Sequence, residues 1–170
     1  MGFPTIGALI KERADPLMAW EWRLKDSHFL LPNGNRGVPA SYIETIDLPF
    51  NNINVEDGLF GGGSYTYFPG FHDVSAFSVT FYEDNKAATL KFIKEWKALI
   101  KDFNTGFYNP PSKFKLQKLP VVLMDSKGNT ILEVELQGIW PAETGNLSLD
   151  TASTNRVQIT QTFSIDDIRY

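Results

Sequence analysis

The chain carries two histidines and no cysteine, so acid–base, nucleophilic or metal chemistry has few residues to draw on. Asp26-Ser27-His28 and His72-Asp73 are the fragments that could do such work. Nucleophilic catalysis needs a hydroxyl, a base and a group orienting that base to meet in space. A metal site needs several ligands at workable spacing, and no HExxH or Asp-x-Asp-x-Asp pattern supplies them. Both histidines lie beside turn-forming residues, where a solvated or locally bonded imidazole is the default. Glu133 and Glu135 share one strand face as a carboxylate pair, an arrangement equally at home on a solvated strand. The sequence therefore predicts no catalytic residue, no metal and no cofactor. Gly61-Gly62-Gly63 is the remaining chemical candidate, as a phosphate cradle. No Gly-Lys-Ser/Thr follows it and no helix pattern starts after it, so a loop or hairpin tip fits better.

The elements that would position these residues are mostly strands. Val157, Ile159, Phe163 and Ile165 alternate with Gln158, Thr160, Thr162 and Ser164, and Gln161 falls in the apolar register. Successive strand side chains point to opposite faces, so this is a strand with one apolar and one polar face. The polar face is hydroxyl- and amide-rich and nearly uncharged. A strand over residues 131–136 precedes it, joined through Gly138-Ile139-Trp140-Pro141 and the glycine-leucine segment 145–150. Earlier in the chain, alternation predicts strands over 18–25, 42–49 and 77–82, with turn chemistry over 32–37. Residues 51–70 are rich in Asn, Gly and aromatics and read as a projecting hairpin or loop. Ala88, Phe92, Ile93, Trp96, Leu99, Ile100 and Phe103 form a stripe at helical spacing, predicting a helix over 86–103 capped by Asp84 or Asn85. Its five lysines read as a solvated face. A strand over 119–124 and a hairpin turn over 125–129 complete the pattern. Residues 1–15 read as an N-terminal arm or, over 6–13, a short helix, broken by Asp15-Pro16.

Composition bounds the partners. The 170 residues carry 16 basic and 20 acidic side chains, a net charge of −4, which argues against gripping nucleic acid. Aromatics reach 14%, as suits broad packing surfaces and subunit interfaces. The charges near the start follow a short apolar patch, the reverse of a secretory signal, and no window is apolar enough to predict a membrane anchor. The pattern as a whole predicts one α+β, mainly β domain: an antiparallel sandwich or barrel with one flanking helix. From the residues alone, a β-sandwich carbohydrate-binding module using exposed Trp or Tyr is also open.

The order G-I-W-P-x-x-x-G-x-L-x-L-D, then Asn155, then Q-x-x-x-x-F, resembles the C-terminal half of tail tube proteins of contractile-tailed bacteriophages. Gly138, Trp140, Pro141, Gly145, Leu147, Leu149, Asp150 and Phe163 carry it. The resemblance implies a structural subunit forming ring-shaped hexamers stacked into a hollow tube within a contractile sheath. The fold would be shared with tubes of the type VI secretion kind and with baseplate subunits that initiate the tube, an alternative role for this chain. Partners implied are further copies of the chain, sheath, baseplate and tape-measure proteins, and DNA passing without specific binding. The setting implied is a virion tail assembled in the host cytoplasm. Within that reading Gln158, Thr160, Thr162 and Ser164 line the lumen. Leu59, Phe60, Gly61, Gly62, Gly63, Tyr65 and Tyr67 contact the next subunit or ring, and Trp140 is expected in the core at a sandwich corner.

Overall fold

The computed structural model describes residues 21–35, 37–49, 52–60, 64–73, 76–102, 104–145, 147 and 155–170. The N-terminal arm, the first residues of the opening strand, the tip at Gly61, Gly62 and Gly63, and Leu149 and Asp150 lie outside them. The strands are β1 (Trp22–Leu24), β2 (His28–Phe29), β3 (Val38–Pro39), β4 (Ile43–Asp47), β5 (Asn52–Phe60), β6 (Ser64–Asp73) and β7 (Phe77–Tyr82). After helices α1 (Ala88–Ile100) and α2 (Pro111–Phe114) come β8 (Leu116–Met124), β9 (Thr130–Thr144), β10 (Gln158–Ser164) and β11 (Asp167–Arg169). The main sheet is antiparallel with order β1-β8-β9-β10-β7-β4, and β11 also pairs with β9. It is not closed into a barrel; the sandwich form is the one realised.

The organising strand is β9. It runs for 15 residues, well past the segment 131–136 that alternation alone marks. Gly138 and Pro141 look like breakers in the sequence, yet the strand continues through both. Gly138 has φ +66, a conformation open to glycine, and an added Cβ would fall 2.1 Å from an Asp166 carboxylate oxygen. Up to Ile139, the residue after Gly138, β9 pairs with β8, Leu116 facing Ile139 at the last register position. Beyond it, Trp140 to Thr144 pair with β10 instead. One strand thus belongs to two half-sheets, β1-β8-β9-β11 and β9-β10-β7-β4.

The halves share a single core. Val121, Val134 and Leu136 from the first meet Phe77, Val79, Phe81, Ile159 and Phe163 from the second, with Phe29, Leu31 and Val38 between them. Helix α1 adds Phe92, Ile93 and Trp96, the last fully buried with its indole N–H donating to the Phe114 carbonyl at 2.7 Å. Phe29 stacks its ring among Phe81, Phe92, Trp96 and Phe163 at centroid distances of 5.3–6.1 Å. The helix begins later than the stripe suggests, because Ala87 takes the left-handed region at φ 55. Its first N–H groups are satisfied from the end of β7. Asp84 Oδ1 accepts from Ala88 N, and the Glu83 carboxylate accepts from Thr89 N and Leu90 N, all within 3.0 Å.

Candidate assembly surface

The polar side of the second half-sheet can be built row by row, because directly opposed residues in antiparallel pairs share a face. One row sets Tyr82 beside Gln158, and the next sets Thr45, Thr80 and Thr160 in line. A third holds Asp47, Ser78, Thr162 and Glu143, and a fourth pairs Ser164 with Trp140. The rows are bonded sideways. The Thr80 and Thr160 hydroxyls lie 3.1 Å apart, and the Ser78 hydroxyl donates to Asp47 at 2.7 Å. The Gln158 amide donates to Glu44. Gln158 and Thr160 are exposed, Thr162 and Ser164 half-exposed, and none of the four enters the core. No lysine or arginine stands in these rows; Arg156 lies at their margin with its guanidinium over the Tyr82 ring. Carboxylates at Glu44, Asp47 and Glu143 set the sign of the surface.

The register is fixed from the buried side. Ile159, Gln161 and Phe163 all point inward, and Gln161 has no exposed surface. Its amide nitrogen donates to the carbonyls of Glu143 (2.8 Å) and Thr162 (2.6 Å), and its oxygen accepts from the Thr144 hydroxyl at 2.6 Å. Lys97 on α1 in turn donates to that hydroxyl. A buried amide with its donors and acceptor all matched is tolerated in a core. The irregularity in this pair falls on β9, where Glu143 faces Thr162 and Pro141 faces Phe163, leaving Ala142 as the extra residue. The alternation of β10 is therefore unbroken.

Other residues singled out in the sequence have plainer positions. His28 Nδ1 lies 3.0 Å from its neighbour Ser27 Oγ, and Asp26 completes no triad with them. His72 stands on β6 opposite Ile53. Glu133 and Glu135 do not act as a pair. Lys25 takes the first at 2.9 Å, while Gln137 and Lys118 take the second and hold its carboxyl below the ordinary range. Among the described residues, no His, Cys, Asp or Glu cluster could hold a metal ion. No described helix is long and apolar enough to cross a membrane. Trp140 is not the core tryptophan; it is half-buried, edge-on to Phe114 at 6.1 Å, because it shares the outward register of Ser164. Trp96 fills the core position. Pro141 is buried opposite Phe163, Gly145 N donates to Thr160 O at 2.8 Å to extend the β9–β10 pairing, and Leu147 is exposed.

The residues the sequence does not single out are Thr45, Asp47, Ser78, Thr80 and Glu143. Their alternation is legible on each strand, but only pairing between distant strands makes one surface of them. Among the described residues, an edge is open at either side of the half-sheet β9-β10-β7-β4. β4 pairs on one side only, and β9 beyond Ile139 has β10 as its one strand partner among the described residues. Among the described residues, β5 and β6 pair with each other and with no strand of the main sheet. A cleft of about 590 Å³ lies between β1 and the approach to β4, lined by Trp22, Leu24, Ala40, Ile43 and Glu44.

No protein-family model matches the sequence, and no curated protein does either. Solved structures do match the fold. The tube-terminating cap of the anti-feeding prophage superimposes with a TM-score of 0.69 at 13% identity, covering 92% of this chain and 91% of that one. A chain of the PVC sheath–tube complex, an extracellular contractile injection system in its extended state, gives 0.65 at 11% identity over 98% and 97%. A chain of the anti-feeding prophage baseplate gives 0.64 at 12% identity over 92% and 96%. The chain has the fold of these contractile injection system components.

Proposed function

We propose that the chain is a structural subunit of a contractile tail, copies of which join edge to edge into hexameric rings that stack as a tube. The observation that carries this is the hydroxyl-lined half-sheet β9-β10-β7-β4, polar yet free of lysine and arginine in its rows, with a strand edge open at both sides. An open edge presents unpaired backbone N–H and C=O groups, and joining β4 of one copy to the Trp140–Thr144 stretch of the next satisfies them. Closing the ring removes every such edge and turns the polar rows inward. A wall of hydroxyls, amides and scattered carboxylates wets a channel without holding phosphates, which suits DNA passing during injection. The β5–β6 hairpin, unattached to the main sheet, carries Leu59, Phe60, Tyr65 and Tyr67 toward a neighbouring subunit or ring. Sheath and baseplate components are the partners this role requires, and a virion tail is its setting.

Electron microscopy of the purified protein tests the reading. Rings or tubes with a central channel are expected. A protein that stays monomeric across a wide concentration range and binds a sugar would replace it with the carbohydrate-binding alternative. A tube-initiating baseplate subunit shares the same rows and edges, and the images separate it: single rings for an initiator, long stacks for the main tube.

A further inference from the structure

We propose that the outer face of α1, together with Phe107 and Tyr108, is a docking surface for an acidic peptide segment of a partner protein, with one apolar side chain set against the two rings. The inference is independent of the lumen and edge contacts, because it uses the opposite side of the helix layer. Phe92, Ile93 and Trp96 turn into the core, so Lys91, Lys94 and Ala98 lie on the far side at spacings of three and four, and half-buried Lys101 follows just past the helix end. Exposed Ala98 leaves room between the lysines. Directly after the helix, Phe107 and Tyr108 are 77% and 74% exposed, the most open large apolar side chains among the described residues.

These rings are not on a slack loop. Asp102 N donates to Phe107 O at 3.0 Å, Gly106 N to Asp102 O at 2.7 Å, and Asn109 N to Ile100 O at 2.9 Å. The Asn109 amide donates to Leu99 O at 3.0 Å, and Tyr108 forms a β-bridge with Lys101. Rigid, exposed aromatics bind with little further ordering cost and serve as interface anchors. The sign of the partner follows from the surrounding charges. The helix and its turn bring Lys91, Lys94, Lys97 and Lys101 against Glu95 and Asp102, on a chain whose net charge is −4. Asp102 Oδ1 is occupied by the N–H of Asn104 at 2.8 Å, and Lys97 turns inward to Thr144. What remains exposed is Lys91 and Lys94 beside Glu95, with half-buried Lys101 next to the aromatic pair, a net basic face that complements carboxylates beside an apolar residue. Duplex DNA is disfavoured, since so few cations on an acidic protein release few counterions.

The test is fluorescence anisotropy of the full-length protein with a labelled peptide of glutamates flanking a single central leucine. The same peptide with glutamine for glutamate, and a duplex DNA, are the controls. The acidic peptide should bind more weakly as salt rises, and the glutamine peptide about tenfold more weakly. Phe107→Ala/Tyr108→Ala and Lys94→Gln/Lys101→Gln should each weaken binding about tenfold while melting temperature and ring formation stay unchanged. Equal binding of the glutamine peptide, unchanged binding by both double variants, or tighter binding of DNA would overturn the proposal. Ring formation by the same variants reports on the tube reading separately.

Discussion

Gln161 shows how one polar residue can set the geometry of a whole surface. Its three bonds match both amide protons and the carbonyl, and they tie β10 to the bulged end of β9 and, through Thr144, to α1. Replacing it by leucine keeps most of the volume but removes the acceptor for the Thr144 hydroxyl and the donor to the Glu143 and Thr162 carbonyls. Gln161→Leu should therefore cost about 1–3 kcal/mol, read from denaturant unfolding. An unchanged midpoint would mean that water replaces the lost partners. The tryptophans make the complementary comparison. Trp96→Ala, in the fully buried position, should cost about 3–5 kcal/mol, and Trp140→Ala clearly less, since part of that ring is already in water. The sequence shows Gln161 in the apolar register and offers no way to find its partners. Trp140 is misleading for a related reason: a Trp-Pro pair after a strand looks like a buried corner, and only the register against Ser164 turns the ring outward.

At the scale of elements, α1 depends on carboxylates that precede it. Asp84 is held below its ordinary 3.8 chiefly by the Ala88 N–H, then by the Lys86 N–H and the Tyr42 hydroxyl. A depressed carboxyl stabilises the folded state above its unfolded value, and that contribution is lost as pH falls through the folded value. The melting temperature should thus fall once the pH drops below about 4, with Asp102 and Asp125 contributing in the same direction through their own turn N–H groups. Asp84→Asn should be less stable at neutral pH and show a flatter decline in acid; a parallel decline would assign the acid sensitivity elsewhere. Strand alternation, the helix stripe and the Asp84 cap are all legible in the sequence because each rests on neighbours within a few residues. The length of β9 is not. Gly138 and Pro141 carry breaker chemistry, and what keeps the strand going is a positive φ beside Asp166 and a change of partner from β8 to β10. Both are set by residues far off in the chain.

For the whole molecule, the lumen reading makes its own demand. Thr160→Arg/Thr162→Arg points into water in the single subunit, so the variant should fold and assemble. Repeated around each ring it would line the channel with phosphate-binding charge, and DNA passage should slow most at low salt. Normal delivery by well-formed tubes of this variant would exclude these residues from the lumen. The strand order has a further consequence. β1 pairs with β8, Trp22 against Leu123, and β10 reaches back to β7, Gln158 against Tyr82. Chains built on such distant pairings fold on the order of milliseconds to seconds, while a local unit such as the β8–β9 hairpin forms early. β4 needs its partner β7, and the end of β9 needs β10, from segments well separated along the chain. A half-made copy therefore has no finished edge to offer. In the proposed tube, growth would then be clocked by completion of each recruit, and incomplete chains would be screened out at the moment of joining.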